Sequence, residues 1–209
     1  YPVLNSDTLK KLESSITVSF VGDLLLLEDQ VKRNLDSSGT YYDFAPVFEY
    51  VRDDLNEADY AVGVLETPVA GSSLGYSRSN FDDGIPILLN APDTWASDIK
   101  ASGIDLVTTA NNHAFDKGEQ GMLRTLDLLD EVGLSHLGTY RDIRERERVF
   151  LVEVRGLKIA FLAYADYMNN YEQNAFANEK SHYVTVLASP SDKIGFERSK
   201  KVVREDIKR

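Results

Sequence analysis

Three short apolar runs in this chain each break off at a polar cluster, and segments of helical period separate them. Ile16-Thr17-Val18-Ser19-Phe20-Val21 alternates apolar and polar residues and stops at Gly22-Asp23. Tyr60-Ala61-Val62-Gly63-Val64-Leu65 ends at Glu66-Thr67-Pro68, and Ile104-Asp105-Leu106-Val107-Thr108-Thr109 ends at Ala110-Asn111-Asn112-His113. Runs of this length and period are strands. Pro68 forbids a continuing central ladder and holds Thr67 extended. Phe44, Val47, Phe48, Val51 and Leu55 fall on one helical stripe with Asp43 as the expected N-cap. Pro92, Trp95 and Ile99, with Gly103 just beyond, predict a second helix, and Met122, Leu123, Leu126 and Leu129, closed by Gly133, a third. A short fourth strand follows over 134–138. Strands alternating with helices imply an α/β fold, a mostly parallel sheet covered on both faces.

The remainder predicts additions to that sheet. Runs over 149–154 and 157–164 about Arg155-Gly156 read as an antiparallel hairpin, expected at the edge of the sheet. A last helix over 194–207, capped by Ser191, has a stripe of Ile194, Val202, Val203 and Phe196. Residues 70–90, rich in Gly, Ser, Asn and Asp, form a long loop expected to cover a site, and 166–181 form another irregular stretch. Residues 1–15 read as a polar lead-in and 16–209 as the domain. A terminal amphipathic helix should return to a further strand, so the natural product is expected to be longer, or a second fragment to complete the fold.

Composition narrows the chemistry. The 209 residues hold 23 Lys plus Arg against 34 Asp plus Glu, a net charge of −11 that repels phosphate backbones and argues against nucleic acid as a partner. Without Cys there are no disulfides, zinc ribbons, iron–sulfur clusters or thiol catalysis, and a metal must be held by oxygen and nitrogen. No apolar run approaches the roughly 18 residues of a membrane span. The G-x-S-x-G elbow, the Walker loop and the G-x-G-x-x-G fingerprint are all absent.

Open parallel sheets bind ligands outside the carboxyl ends of their strands. That rule brings Asp23, Glu66 and the group Asn111, Asn112 and His113 to one rim although they lie far apart in sequence. Such donors suit a divalent ion: Mn²⁺, Mg²⁺, Fe²⁺ or Zn²⁺. Taken singly each has a plainer reading: Gly22-Asp23 as a turn, Glu66 as a solvated strand end, His113 as a loop imidazole bonded to backbone, and the two asparagines as left-handed turn residues. Their joint placement carries the argument. His136, inside the fourth strand, and His182, with no acid beside it, are set aside. A two-carboxylate glycosidase using Asp23 and Glu66 is a rival reading, but it leaves the Asn-Asn-His group unexplained.

Phe20-Val21-Gly22-Asp23, Leu65-Glu66-Thr67-Pro68 and Ala110-Asn111-Asn112-His113-Ala114-Phe115-Asp116-Lys117-Gly118, with Gly121, Thr125, Leu129 and the run 156–162, carry a resemblance. The chain resembles the bacterial capsule-synthesis CapA family, linked to poly-γ-glutamate synthesis and related to the calcineurin-like metallophosphoesterases. Val64 and Thr67 stand where that family has the Asn and Gly of Asn-Leu-Glu-Gly-Pro, and its later His-Trp-Gly and His-x-His-like segments have no counterpart here. The resemblance implies a metallophosphoesterase-like layered fold. It implies Asp23, Glu66 and Asn112 as ligands of a divalent metal cofactor, His113 and Asp23 as catalytic, and Asn111 and Asp116 as supports that hold the loop and orient the imidazole. It further implies a metal-dependent hydrolase or transferase at the extracellular face of the bacterial membrane, anchored by a segment outside this sequence. The expected partners are a phosphoester or anionic polymer substrate and other capsule-synthesis membrane proteins. The alternative is a non-catalytic component that binds or guides the polymer in the same cleft. Lacking the later histidines, this chain alone is expected to bind metal weakly and hydrolyse little.

Overall fold

The structure, a computed structural model, describes residues 15–169 and 183–209. Strands β1 (Val18–Asp23), β2 (Tyr60–Val64), β3 (Leu106–Thr108) and β4 (Ser135–Leu137) form one parallel sheet in that order. Its register runs Phe20 to Val62 to Leu106 to Ser135. Neighbouring residues serve opposite cores: Ala61 and Val107 pack with Trp95, Ile99 and Leu129, while Val62 and Leu106 pack with Leu137 and Tyr140. Burial on both faces explains why β2 and β3 read as continuous apolar runs, whereas β1, an edge, alternates.

The helices are α1 (Glu28–Arg33), α2 (Arg52–Glu57), α3 (Thr94–Ala101), α4 (Gly118–Glu131), α5 (Ile143–Glu147) and α6 (Lys193–Lys208). Sequence periodicity misses α1 and α5. The first buries only Val31 and the second buries nothing, so neither carries a stripe. The helix expected from Asp43 is instead a 3₁₀ turn over Ala45–Phe48 followed by α2. Its i+3 bonding continues from Pro46 O to Glu49 N and from Phe48 O to Val51 N. The tighter 3₁₀ winding keeps Phe44, Phe48 and Leu55 inside but turns Val47 and Val51 outward.

The hairpin is present but not at the edge. Strands β5 (Phe150–Val154) and β6 (Leu157–Phe161) form a separate two-stranded sheet against the second face of the main one, the Phe161 ring 5.5 Å from Tyr60. Phe150, Val152, Val154, Ile159 and Phe161 share its inward side, with Glu153 and Lys158 outside, so covering a sheet face buries more than extending an edge. Its turn has Arg155 at φ +48° and Gly156 at φ +81°, the left-handed pair a two-residue hairpin requires.

The capping residue of α6 is Asp192 rather than Ser191, since Gly195 N donates to Asp192 Oδ1 at 3.0 Å. Ile194 of its expected stripe is exposed, as is Ile207 in its last turn. The helix is held through buried Asp206, which accepts from Arg146 at 2.9 Å and from the Tyr164 hydroxyl at 2.8 Å. Most of the lead-in 1–15, much of the stretch 166–181 and His182 lie outside the described residues.

Candidate functional site

The sheet delivers its polar ends to one rim. Between Val21 and Asp23 the register of β1 shifts, so Gly22 is an extra residue and Asp23 pairs with Val64. Such a bulge bends a strand end and re-aims its side chain. Leu24 N then bonds to Val64 O, and Leu26 N donates to Thr67 Oγ1 at 2.8 Å, which locks the β1 exit to the β2 exit. Glu66 sits on that second exit.

The β3 exit is held by two asparagine bonds. Asn111 Nδ2 donates to Leu65 O at 2.8 Å, and its Oδ1 accepts from His113 N at 3.0 Å, so one side chain ties the turn to the neighbouring strand end. Below it Thr109 and Thr139 share a hydroxyl hydrogen bond of 2.8 Å. Gly138, at φ +123°, lies so close that a Cβ there would stand 2.6 Å from Ala110 N. This is a contact with backbone, which cannot swing aside.

His113 is the hinge of the cluster. Its Nδ1 is 2.7 Å from Asp116 Oδ2, and its Nε2 is 3.8 Å from Glu66 Oε1. The Asp116 side chain is fully buried and also accepts from Leu89 N at 2.6 Å. A carboxylate only accepts, so Nδ1 carries the proton and Nε2 of the neutral ring is left as a base facing Glu66. Burial alone pulls the His113 pKa down, but the Asp116 hydrogen bond and charge, joined by Glu66, outweigh it and raise the pKa. Glu66 is also pushed up, first by burial and then by the charge of Asp23, whose carboxyl lies within hydrogen-bonding reach; His113 only partly offsets this.

Asp23, Glu66, His113 and Asp116 therefore form one connected group, and Asn111 fixes the turn that carries His113. Asn112 shares that turn, but its Nδ2 donates to Asn169 Oδ1 at 3.2 Å. His136 lies apart, bonded to Asp130 of α4 at 3.1 Å. Loop 70–90 is tied to the site from within the fold. Buried Asn90 bonds to Ala70 N, Gly71 O and Gly75 O, and the Leu89 N–H beside it supports Asp116. Sequence reading missed Thr67, Gly138 and Asn90. The first two sit at strand exits, where small residues are a recognisable mark; nothing in the sequence singles out Asn90.

Two neighbouring carboxylates, with an amide and an imidazole nearby, are chemically suited to a hard divalent ion. Among the described residues no group of three or more His, Asp and Glu side chains is arranged to hold a metal. No helix among the described residues is long and apolar enough to cross a membrane.

The family model described as bacterial capsule synthesis protein PGA_cap matches residues 17–209. The chain is similar to a capsule biosynthesis protein CapA of Bacillus anthracis, 27% identical over 152 residues, covering 72% of this chain and 35% of that protein. It is similar to a PGA biosynthesis protein CapA of Bacillus subtilis (strain 168), 26% identical over 152 residues, covering 72% of this chain and 37% of the other. An uncharacterized protein y4sH of Sinorhizobium fredii is 26% identical over 162 residues, 78% of this chain and 33% of its own length. The chain thus spans about a third of the length of these curated relatives.

Proposed function

The chain belongs to the bacterial capsule synthesis protein family PGA_cap, and from that premise we propose that its rim is the reacting end of a metal-dependent hydrolase or transferase. The substrate is a phosphoester or a γ-glutamyl polymer handled at the cell surface during capsule biosynthesis. One observation carries the reading: Glu66 stands between the like charge of Asp23 and an imidazole oriented by buried Asp116. A structural cluster would pair its acids with Lys or Arg. Here the raised Glu66 is a carboxyl whose ionised form still needs a cation.

Asp23 and Glu66 would hold that cation, with Asn112 Oδ1 as a third oxygen, and two or three protein oxygens favour Mg²⁺ or Mn²⁺ over a closed zinc cage. When bound, the ion supplies Lewis-acid polarisation of the substrate oxygen. His113 does the proton work: Asp116 keeps its Nδ1 protonated, and Nε2 takes or returns a proton at the reacting oxygen. Asn111 keeps the His113 backbone in register with the β2 exit, so the imidazole stays aimed at Glu66.

The test is turnover of a generic phosphodiester by the full-length protein with and without Mn²⁺, compared with Asp23→Ala and His113→Ala. Metal-dependent activity lost in both variants supports the proposal. A metal-independent, inactive protein that still binds polymer overturns it in favour of a non-catalytic export or assembly component.

A further inference from the structure

Lys117 stands inside the Ala110–Gly118 motif, directly after Asp116, and the rim chemistry makes no use of it. It is the N-cap of α4, a position that favours Ser, Thr, Asp or Asn, and its side chain makes no capping bond. The helix dipole also opposes a cation at this end. Burial lowers the Lys117 pKa; the charge of Asp116 works against that, and the charge of Arg78 adds to it. The stem is nevertheless held in place. A Cβ on buried Gly121 would overlap Lys117 Cβ and stand 3.0 Å from Ala70 Cβ, so the glycine makes room where the two segments meet.

The second cation, Arg78, comes from loop 70–90, whose backbone is fixed on both sides of it. Ser77 N bonds to Asn90 O, the Ser77 hydroxyl donates to Leu26 O at 2.9 Å, and Ser79 O accepts from Glu28 N at 3.1 Å. Asn90 in turn follows Leu89, whose N–H holds Asp116. Acids of the neighbouring segments are committed elsewhere: Asp116 to His113 and Leu89 N, Glu119 to the Tyr183 hydroxyl at 2.6 Å, and Asp93 to Arg124. Among the described residues neither Arg78 nor Lys117 has an ion-pair partner. In a chain with 34 acids against 23 Lys plus Arg, two like charges set close together and left unpaired await an anion from outside.

We propose that Arg78 and Lys117 form a subsite for an anionic oxygen group of the substrate, a carboxylate or a phosphate, on the Asp116 side of the reacting rim. Arg78 supplies a planar fork and Lys117 a point charge, the two cation types that bind such oxygens. The assignment deepens the reading of the rim as the reacting centre, and rests on it for calling the anion part of the substrate.

The experiment is a calorimetric titration of the protein, without metal and at low salt, with a γ-linked glutamyl tetramer and separately with glycerol 1-phosphate. At least one of the two binds saturably, and its affinity falls about tenfold in Arg78→Gln and in Lys117→Gln, the loss of one charge-assisted hydrogen bond. Whichever probe binds more tightly tells carboxylate from phosphate. Lys158→Gln, on the outer side of β6, makes the same change in charge and leaves the titration unaltered. Lys117→Gln melts no lower than the parent, because burial, Arg78 and the helix end all oppose the charge it removes. No saturable binding of either anion overturns the proposal, as does binding that survives both Gln variants or falls equally in Lys158→Gln. A Lys117→Gln melt well below the parent overturns it too, since the cation would then serve the fold. Binding is read without metal or turnover, so failure here leaves the rim chemistry standing. An inactive full-length protein that still binds the anion through this pair removes the rim chemistry and keeps the subsite.

Discussion

Two acidic clusters have been taken out of water in this molecule, and they have opposite electrostatic characters. Around Asp206, burial raises the carboxyl pKa, but the Arg146 guanidinium and the Tyr164 hydroxyl outweigh it and hold the pKa below the ordinary value. Arg146 is held in turn by Thr185 Oγ1 at 2.6 Å. Around Glu66, burial and Asp23 act together, and the imidazole is the only partial compensation. The first cluster is satisfied by the chain's own cation and clamps α6 to α5. The second is left short of positive charge at the open end of a parallel sheet. The difference separates an acid kept for structure from the acids we propose to hold a ligand.

The largest way to break this contrast is Asp206→Ala. It strands the Arg146 charge and should cost about 3 kcal/mol in urea denaturation. Glu66→Gln, measured alongside without metal, should raise stability, because it removes a repulsion from Asp23. Equal losses in both would erase the distinction. Next in size is Gly138→Ala, which forces a Cβ into Ala110 at a positive φ and should cost about 2 kcal/mol. It should also shift the NMR resonances of His113, since Ala110 opens the turn that carries it. Thr67→Val keeps the shape but removes the acceptor for Leu26 N, a loss of about 1 kcal/mol, and should loosen amide-exchange protection at the β1 exit.

The smallest signal is a slope. A carboxyl whose folded pKa lies below its unfolded value stabilises the fold above the unfolded value, and that contribution is lost as pH falls through the folded one. The stability gap between the protein and Asp206→Asn should therefore be full at neutral pH. It should close as pH drops below 3.8, the ordinary Asp value. A gap that widened in acid would contradict the assigned partners.

Much of the rim was readable because a strand ending is a local event: Val21-Gly22-Asp23, Leu65-Glu66 and Thr109-Ala110-Asn111 announce themselves by a change from apolar to polar. Parallel topology then brings the endings together without any knowledge of contacts. What stayed hidden depends on partners distant in sequence. The hairpin reads correctly as a hairpin, but whether it pairs with an edge or covers a face is decided by Tyr60 and Val62, far from it in the chain. Asp206 looks like one charge among many on a basic helix until Arg146 and Tyr164 close on it. Pro46 could have warned against one continuous helix from Asp43, but the outward turn of Val47 and Val51 follows from winding that periodicity does not encode.

The central claim is that Asp23 and Glu66 are short of a cation that no other described residue supplies. Titrating the protein with Mn²⁺ and following the free ion by electron paramagnetic resonance tests it most directly. The account predicts weak, saturable uptake of one ion that is abolished in Asp23→Ala, strongly reduced in Glu66→Gln and unchanged in Asp206→Asn. Uptake that survives Asp23→Ala, or that falls equally in Asp206→Asn, would contradict it.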